Sequence, residues 1–334
     1  MSITIRDVAR KAGVSPITAS RALSGGPHPV ADETRRKVVE AADELGYVPD
    51  LLARSLVSKQ SPIIGVVVLE MDNPFYGPIL DAVQAIARQK NHLMIVNQSE
   101  RHLDMEQASI FQFRQMRVAG VLVAPVSTDF QHLHTLRREG TPVVAVAREW
   151  DEGDYVTVDD FAGGRLVGEH LGRLGHRRIA CVALDEPENS AVQARVRGFQ
   201  TAVQNGSEFA QQNKILTARS RIEDGIAAAD AFLNLPDRPT AAFVTADRLA
   251  VGFVHRLRER GRRVPGDVAV VGYDDIPYAA FLEVPLTTVA LPKYEMGQQA
   301  AQILFEHIQA EDTGREMHQV MLQPEIVVRA SCGA

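Results

Sequence analysis

The sequence predicts a small all-α domain at the N-terminus, followed by a larger α/β core with two doubly wound parallel sheets. Three observations predict this organisation. The chain has 334 residues, enough for two or three domains. Its first 47 residues carry closely spaced helical patterns, and beyond Pro62 short apolar runs alternate with helix-length segments. Because 45% of the residues are hydrophobic and 23% are charged, the composition is that of a folded globular protein.

Local end signals divide the N-terminal segment into three short helices. The first is expected to begin after Thr4, a favoured N-cap residue, and to end at Gly13. The second is expected to begin at Pro16, because proline is favoured at the first helical position. A glycine- and proline-rich turn at residues 25–29 leads to a third helix over residues 32–45. We therefore predict a three-helix miniature domain.

The apolar runs beyond Pro62 form two successive sets, as expected for two α/β lobes with a cleft between them. Ligands of open α/β sheets bind beyond the carboxyl ends of the strands, so the cleft is the expected ligand site. The expected strands are 63–69, 93–96, 121–124, 143–146 and 155–158 in the first lobe, and 179–183, 215–216, 241–244 and 268–272 in the second.

Charge and composition exclude several classes of protein. The net charge of the chain is -6, yet residues 1–60 contain nine basic and seven acidic residues. A polyanion would therefore bind to the N-terminal segment rather than to the acidic remainder of the chain. The longest apolar run, residues 63–69, is too short to cross a bilayer, and no export signal precedes it. Cys181 and Cys332 are expected as reduced thiols, and no metal centre is expected. We expect a cytoplasmic protein.

The second N-terminal helix has a face, opposite its apolar face, that is expected to be exposed to solvent and suits the major groove of DNA. Arg21 can donate two parallel hydrogen bonds to guanine, whereas Pro16 and Ile17 can make only apolar contacts, for example with a thymine methyl group. The hydroxyl groups of nearby serine and threonine residues suit phosphate oxygens. Taken alone, however, two amphipathic helices joined by a glycine also occur in proteins that bind no DNA.

Ordered motifs along nearly the whole chain resemble the LacI/GalR family of bacterial repressors. The segment from Ile5 to Leu23 resembles the family's helix-turn-helix headpiece. Further matches are Gly46-Tyr47-x-Pro49, Ala53-Arg54-Ser55-Leu56, Asn73-Pro74-Phe75-Tyr76, Gly175-His176-Arg177, Val264-Pro265 with Asp267-Val268, Val271-Gly272-Tyr273-Asp274 and Leu286-Thr287-Thr288. The resemblance implies an all-α helix-turn-helix headpiece and a two-lobed, periplasmic-binding-protein-like α/β core.

This resemblance also implies domain limits and DNA-contacting residues. The headpiece would span residues 1–49, the hinge helix and linker 50–61, and the effector-binding and dimerisation domain 62–334. Within that domain the N-lobe would comprise about 62–161 and 292–320, and the C-lobe about 162–291 and 321–330. Leu56 corresponds to the family's hinge leucine, which wedges into the minor groove; the alternative is an ordinary packing leucine. The DNA-binding residues would be Thr4, Ser15, Pro16, Ile17, Thr18, Ser20, Arg21 and Leu56.

In the cleft, the resemblance implies a small-molecule site. Aromatic rings after the first strand can stack on a sugar or a base, arginines can act as fork donors, and a carboxylate can accept hydrogen bonds from hydroxyl groups. The alternatives are core aromatic residues and structural ion pairs. The effector-binding residues would be Asn73, Phe75, Tyr76, Arg148, Arg195 and Asp274.

The chain departs from the family at several positions. The turn at residues 25–29 is about one residue longer than in some members. Ala147, Ala246 and Leu291 stand where several members carry Asp, Asn and Gln. Because these polar groups are lost while the arginines are retained, a phosphorylated, carboxylated or less hydroxylated ligand becomes a reasonable hypothesis.

The function that these features predict is that of a homodimeric transcriptional regulator, most simply a repressor. It would bind a pseudo-palindromic DNA operator under the control of a sugar-like or sugar-phosphate-like effector. No phosphate-binding loop, dinucleotide fingerprint or zinc spacing is present, so neither catalysis nor a cofactor is expected. The alternatives are a sugar-binding protein of a transport system, which would need an export signal and no headpiece, and a cytosolic sugar enzyme, which would turn over its ligand.

Overall fold

The structure is a computed structural model that describes residues 3–24, 30–48, 61–186, 189–205, 214–236, 239–310 and 316–334. The chain separates into two compact units, Met1–Pro62 and Ile63–Ala334. The predicted turn at residues 25–29, the hinge at 50–60 and the proposed wedge Leu56 all lie outside the described residues. No helix in the described ranges is long and apolar enough to cross a membrane.

The first unit contains the three predicted helices, and their ends follow the local signals in the sequence. The first helix ends at Gly13, which has a φ of 68°, and the third is followed by Gly46 with a φ of 61°. Glycine is favoured at both positions because left-handed backbone strains residues with a Cβ. The helices are α1 (Ile5–Ala12), α2 (Pro16–Ser24) and α3 (Asp32–Leu45).

Small apolar side chains form the core between these helices. Val8 and Ala9 from α1, Ala19 from α2 and Val38 from α3 are almost completely buried. Small residues allow these short helices to pack closely. The face of α2 that points away from this core is exposed to solvent.

The second unit contains two six-stranded sheets. The first sheet is parallel throughout, in the order β11-β5-β4-β3-β1-β2. Helices cover both faces of this sheet, and together they form the first lobe. Its strands are β1 (Ile63–Val68), β2 (Leu93–Gln98), β3 (Gly120–Val123), β4 (Val143–Val146), β5 (Asp154–Val158) and β11 (Gln319–Leu322). Its helices are α4 (Gly77–Gln89), α5 (Leu103–Gln115), α6 (Gln131–Arg138) and α11 (Lys293–Gln309).

The second sheet has the order β12-β10-β9-β8-β6-β7, with only β12 antiparallel to its neighbour among the described strands. This sheet and its helices form the second lobe. Its strands are β6 (Ile179–Leu184), β7 (Lys214–Ala218), β8 (Ala241–Val244), β9 (Ala269–Asp274), β10 (Thr287–Ala290) and β12 (Glu325–Val327). Its helices are α7 (Asp160–Arg173), α8 (Ser190–Asn205), α9 (Ile222–Leu233) and α10 (Asp247–Glu259).

The described residues of the second unit pass between the lobes at three places. These crossings lie between β5 and α7, between β10 and α11, and between β11 and β12. The last crossing therefore falls after Leu322, slightly beyond the approximate boundary at 320–321 that the resemblance implied. All three crossings join the β5–β11 edge of the first sheet to the β10–β12 edge of the second.

The two-lobed α/β fold and the parallel sheets that the sequence predicts are confirmed. The sequence analysis missed three strands: β10, β11 and β12. They have three or four residues each, and β11 and β12 are only partly buried. β10 begins with two threonines, β11 and β12 each begin with a polar residue, and β11 and β12 pair with strands that are distant in the sequence.

Candidate functional site

The face of α2 opposite the small core is exposed in the first unit. Arg21, Pro16 and Ser20 are exposed, and the Ile17 side chain is 66% exposed. An isoleucine this exposed contributes little to the core, and the side chains around it suit a partner surface. Four of the five residues predicted for base or phosphate contact on α2 thus share one exposed face, and the fifth, Thr18, is partly buried.

Three of the predicted phosphate-binding hydroxyl groups already have partners at the helix ends. The Ser15 Oγ lies 2.8 Å from the Thr18 Oγ1 and accepts a hydrogen bond from the Thr18 backbone N–H at 3.1 Å. The Thr4 Oγ1 donates to the Asp7 Oδ2 at 2.7 Å. These contacts fix the starts of α1 and α2, and contact with phosphate stays a prediction for these residues.

All six residues predicted for the effector site line a single cavity between the lobes of the second unit. Asn73, Phe75, Tyr76 and Arg148 come from the first lobe, and Arg195 and Asp274 from the second. The cavity lies at the carboxyl ends of strands from both sheets, as expected for an α/β fold. Its volume is about 70 Å³, well below the roughly 300 Å³ and more that is typical of ligand pockets.

The turn after β1 positions the two aromatic rings. The Asn73 Oδ1 accepts a hydrogen bond from the Phe75 backbone N–H at 3.1 Å, and the Tyr76 backbone N–H donates to the Asn73 carbonyl at 3.1 Å. The rings meet edge to face with centroids 5.0 Å apart. Both side chains are buried, and burial raises the pKa of Tyr76 above its usual range. The aromatic wall of the cavity is therefore rigid and neutral.

Arg195 is held in a buried network. Its Nε donates to the Asp160 Oδ1 at 2.7 Å and its Nη1 to the Thr245 carbonyl at 3.0 Å. Its guanidinium group lies over the Tyr273 ring, 4.0 Å from the centroid. Burial alone would lower the pKa of Arg195, but Asp160 and other neighbours raise it above the usual range. Arg195 is thus both a structural ion-pair partner and part of the cavity wall.

Three glycines allow this network to form. A Cβ on Gly164 would lie 1.9 Å from the Arg195 carbonyl oxygen, and a Cβ on Gly198 would lie 2.0 Å from the Phe161 carbonyl oxygen. These contacts are between α7 and α8, so the helix backbones touch directly. Gly163 leaves room for the Tyr273 hydroxyl group, which donates to the Asp160 Oδ1 at 2.9 Å.

Asp274 ends β9 in a strained conformation that faces the cavity. Its φ is 112° and that of Asp275 is 49°, values that cost non-glycine residues on the order of 1–3 kcal/mol each. The buried Lys293 Nζ donates to the carbonyl oxygens of both residues and holds the turn. Burial raises the pKa of Asp274 to about 6, with Arg195 and Lys293 opposing the shift.

Asp247 lies beneath this turn and is fully buried. Its Oδ1 accepts a hydrogen bond from the Thr288 Oγ1 at 2.7 Å, and its Oδ2 accepts one from the Ile276 backbone N–H at 3.0 Å. Burial, followed by the charge of Asp274, raises the pKa of Asp247 from 3.8 to about 8. The Asp247 carboxyl group is therefore protonated over most of the neutral pH range.

This raised pKa predicts a pH dependence of stability. Between about pH 4 and pH 8 the folded protein retains a proton on Asp247 that the unfolded chain has released. The free energy of unfolding therefore falls by up to about 1.4 kcal/mol for each pH unit by which the pH rises. We expect Asp247→Asn to flatten this fall between pH 5 and pH 8, measured by urea unfolding. Asp230→Asn is the control, because the pKa of the surface residue Asp230 is lowered instead. Equal slopes in wild type and Asp247→Asn would contradict the assignment.

The structure adds residues to the cavity that the sequence analysis missed. Arg101, Glu186, Asn189 and Ser220 line it beside the predicted six. Three of them follow the carboxyl ends of β2, β6 and β7, a position that could have identified them. Arg101 itself has a φ of 64°, which the sequence does not indicate.

Two of the departures from the family pattern lie at the cavity. Ala147 and Ala246 line it, whereas Leu291 is buried and is not among the lining residues. Ala147 has a φ of 62° and directly precedes Arg148. In the described parts of the chain, no group of three or more His, Cys, Asp or Glu side chains is arranged to hold a metal ion.

Two family models match this chain. One is described as bacterial regulatory proteins, lacI family, and matches residues 4–50. The other, described as a periplasmic binding protein-like domain, matches residues 169–332. Both regions coincide with described helices and strands of the corresponding units.

Whole-length relatives and solved structures are also similar. The HTH-type transcriptional repressor PurR of Vibrio atlanticus (strain LGP32) is 32% identical over 332 residues, which cover 98% of each protein. The lac repressor dimer bound to operator and the anti-inducer ONPF has a TM-score of 0.87 at 27% identity, with 100% of both chains covered. A LacI family transcriptional regulator from Enterococcus faecium with bound ribose has a TM-score of 0.74 at 29% identity, covering 80% of this chain and 98% of that one.

Proposed function

This chain belongs to the lacI family of bacterial regulatory proteins, and we propose on this basis that it is a ligand-controlled transcriptional repressor. It binds an operator in double-stranded DNA through α2 of the first unit. A small sugar-like or sugar-phosphate-like molecule binds between the two lobes of the second unit and changes the affinity for the operator. Similarity to a repressor bound to its operator and to a regulator with bound ribose supports both halves of the proposal.

One observation carries the proposal most strongly. Six residues from four separate parts of the sequence, assigned to effector binding through the resemblance, line one cavity in the second unit. A core that served only stability rarely collects two arginines, an aspartate and an amide around one open space, because buried polar groups are costly unless they are hydrogen-bonded or paired. The cavity is thus best explained as a binding site.

The proposed DNA site comprises the exposed face of α2 together with Thr4. It also includes Leu56, which lies outside the described residues. Arg21 reads a guanine, Pro16 and Ile17 contact base edges through apolar groups, and the serine and threonine hydroxyl groups contact phosphates. Two copies of the chain form a homodimer, so that the two headpieces match the two half-sites of a pseudo-palindromic operator. The similarity to the lac repressor dimer supports this arrangement.

The proposed ligand is held by aromatic stacking and by charged hydrogen bonds. Phe75 and Tyr76 provide an apolar wall, Asp274 accepts hydrogen bonds from hydroxyl groups, and Arg148 and Arg195 favour an anionic group. Because Ala147 and Ala246 offer no side-chain hydrogen bonds there, recognition depends more strongly on the charged residues than on neutral polar ones. This favours a phosphorylated or carboxylated ligand over a neutral hexose.

We further propose that the protein acts in the cytoplasm, where the operator is, and that it does not catalyse a reaction. The curated relatives named above are repressors rather than enzymes. Two assays distinguish this proposal from the other candidates: a cytosolic sugar enzyme would turn over its ligand, and a transport binding protein would select no DNA sequence. Incubation of each bound ligand with the protein should leave the ligand chemically unchanged, and the protein should still select a DNA sequence.

Removal of the Asp274 carboxylate tests the ligand site. We expect Asp274→Asn to weaken ligand binding by roughly tenfold to a hundredfold, because a hydrogen bond to a charged group contributes about 1.5–3 kcal/mol. Thermal-shift screening of sugars, polyols, nucleosides and their phosphates provides the ligand, and calorimetry measures the affinity. Asp275→Asn is the matched control, because Asp275 pairs with Arg329 at 2.7 Å and is not among the cavity-lining residues.

The same experiment separates neutral from anionic ligands. Ribose and ribose 5-phosphate serve as a matched pair of probes. Binding of the phosphate alone supports the role given to the arginines, whereas binding of neutral sugars without any sugar phosphate would contradict it. Equal ligand affinity in Asp274→Asn and wild type would remove Asp274 from the site.

A further inference from the structure

Charged side chains of the first lobe contact the second lobe beside the cavity. Arg101, which follows β2, donates through its Nη1 to the Glu186 Oε1. Lys293, the first residue of α11, donates through its Nζ to the carbonyl oxygens of Asp274 and Asp275, to the latter at 3.0 Å. Lys293 is not among the residues that line the cavity, so it would act on a ligand only through the turn that it contacts.

Lys293 is a costly residue at this position. It is only 7% exposed, and a buried ammonium group is unfavourable unless charges and hydrogen bonds compensate for the lost water. Burial lowers the pKa of Lys293, and the carboxylate of Asp274 is the strongest of the charges that oppose this shift. An apolar side chain of similar size would fill the same space without this cost. The presence of a lysine therefore indicates a role beyond packing.

The turn that Lys293 contacts is strained and is held by several side chains. The Asp275 Oδ1 lies 2.7 Å from the Arg329 Nη2, and the Asp275 backbone N–H donates to the Thr288 Oγ1 at 3.4 Å. These contacts fix Asp275, whereas the carbonyl oxygen of Asp274 is bound by Lys293. Strained backbone persists only where the surroundings enforce it. The orientation of the Asp274 side chain toward the cavity therefore depends on Lys293.

The carboxylate of Asp274 lies in a crowded electrostatic environment. The Arg195 Nη1 is 3.8 Å from the Asp274 Oδ1, but Arg195 also pairs with Asp160 at 2.7 Å. In the described parts of the chain, Lys293 has no carboxylate within ion-pair distance, so its charge is not offset by a direct partner. Burial raises the pKa of Asp274 to about 6, and Arg195 and then Lys293 oppose the rise. The charged and titratable groups around Asp274 are Arg195 on α8, Asp160 on α7, Asp247 on α10, Lys293 on α11, and Tyr273 and Asp275 beside it in the chain.

We propose that Lys293 is a positioning residue of the ligand site, which fixes the turn at Asp274 and keeps the Asp274 carboxylate charged so that it accepts hydrogen bonds from a ligand. This inference rests on the proposed function, in which Asp274 contacts the ligand. The hydrogen bonds of Lys293 hold the backbone, and its positive charge favours the ionised carboxyl group. The second lobe thus binds the ligand with a carboxylate that depends on a charge from the first lobe.

The first arm of the test needs no ligand. The full-length protein is labelled with aspartate that carries ¹³C in its carboxyl group, and the resonance that is missing from Asp274→Asn identifies Asp274. In wild type this resonance should titrate near pH 6. Lys293→Met and Lys293→Gln should raise the midpoint by at least about one pH unit, because loss of a neighbouring positive charge raises the pKa of a carboxyl group by about 1–3 units. Lys293→Arg should keep the midpoint near that of wild type.

Lys293→Gln also separates the charge from the hydrogen bonds, because its amide group can still donate to the carbonyl oxygens. If the charge sets the midpoint, Lys293→Gln and Lys293→Met should titrate alike. This variant and Lys293→Arg also carry the comparison if Lys293→Met does not fold.

The second arm measures the affinity for ribose and ribose 5-phosphate by calorimetry between pH 5 and pH 8. In wild type the affinity should fall as the pH falls through about 6, because a protonated Asp274 accepts hydrogen bonds less well. In Lys293→Met the fall should begin at least about one pH unit higher. For an Asp274 midpoint between about 7 and 8, the affinity at pH 7 should be about twofold to tenfold lower than in wild type. A purely structural role would instead lower the affinity equally at every pH.

Lys90→Met is the matched control, because Lys90 is an exposed lysine at the end of α4 in the same lobe. It should change neither the Asp274 midpoint nor the affinity. A midpoint in Lys293→Met and Lys293→Gln equal to that of wild type would overturn the inference, and so would an equal rise in Lys90→Met. Failure of wild type to bind either probe would count against the proposed ligand, while the titration would still decide the role of Lys293.

Discussion

Replacement of Arg21 with alanine is expected to remove the sequence preference of the protein at one base pair in each half-site of its operator. A bidentate contact between arginine and guanine contributes about 1–3 kcal/mol of discrimination. A homodimer makes this contact twice, so the full operator should lose about 2–6 kcal/mol, or roughly thirtyfold to more than ten-thousandfold in affinity. Arg21 is exposed on α2, so the substitution should not disturb the small core of the first unit.

The measurement begins with an operator selected by the wild-type protein from random duplexes. Binding of Arg21→Ala to that operator, and to versions changed at each base pair, shows which position loses its preference. Arg36→Ala is the matched control, because Arg36 is exposed on α3 and its removal changes the charge equally. A uniform loss on all duplexes, with the salt slope reduced by about one per contact, would show that Arg21 contacts phosphate instead.

Replacement of Arg195 with leucine is expected to destabilise the second unit by about 3–5 kcal/mol, because Asp160 would be left as a buried charge without its partner. Arg195 and Asp160 are 11% and 8% exposed, so water is a poor replacement for the lost contact. The melting temperature of this unit should fall by roughly 6–15 °C. The loss is the largest that we expect from a single change in the cavity wall.

Two further variants separate this effect from a general loss of charge. Arg165→Leu removes an exposed pair with Glu169 on α7, which should cost about 0.3–0.5 kcal/mol. Adding Asp160→Asn to Arg195→Leu should restore part of the stability, because the unpaired charge is removed. If Arg195→Leu unfolded at the wild-type temperature, the buried network would not have the strength that we assign to it.

Local signals in the sequence were sufficient for the first unit. Thr4, Gly13, Pro16 and Gly46 act on their own helix ends, so the limits of α1 to α3 could be read directly from the sequence. The parallel strands of both lobes were also predicted, because buried strands are continuous apolar runs. The strands β10 to β12 were not, since β10 begins with two threonines and the partly buried strands β11 and β12 depend on partners far along the chain.

The residues that line the cavity were predicted only in part, because some of them are brought together by contacts between distant segments of the chain. Residues such as Asn73 and Asp274 were assigned through motifs that resemble a known family, and both line the cavity. Arg101 and Glu186 stand in no such motif, and their partnership depends on the closed arrangement of two lobes. The ion pair between Arg195 and Asp160 likewise depends on close packing of α7 against α8, which no local pattern indicates.

The central claim is that ligand occupancy between the lobes controls sequence-specific binding of DNA by the first unit. The most direct test measures binding of fluorescent duplexes, from the selected operator and from a scrambled copy, at physiological salt with and without each ligand found by thermal shift. We predict a preference for the operator of at least about 10³-fold. At least one ligand should change operator affinity by about 5-fold to 150-fold, with little effect on the scrambled duplex. Equally weak binding to both duplexes, unaffected by any ligand, would contradict the claim.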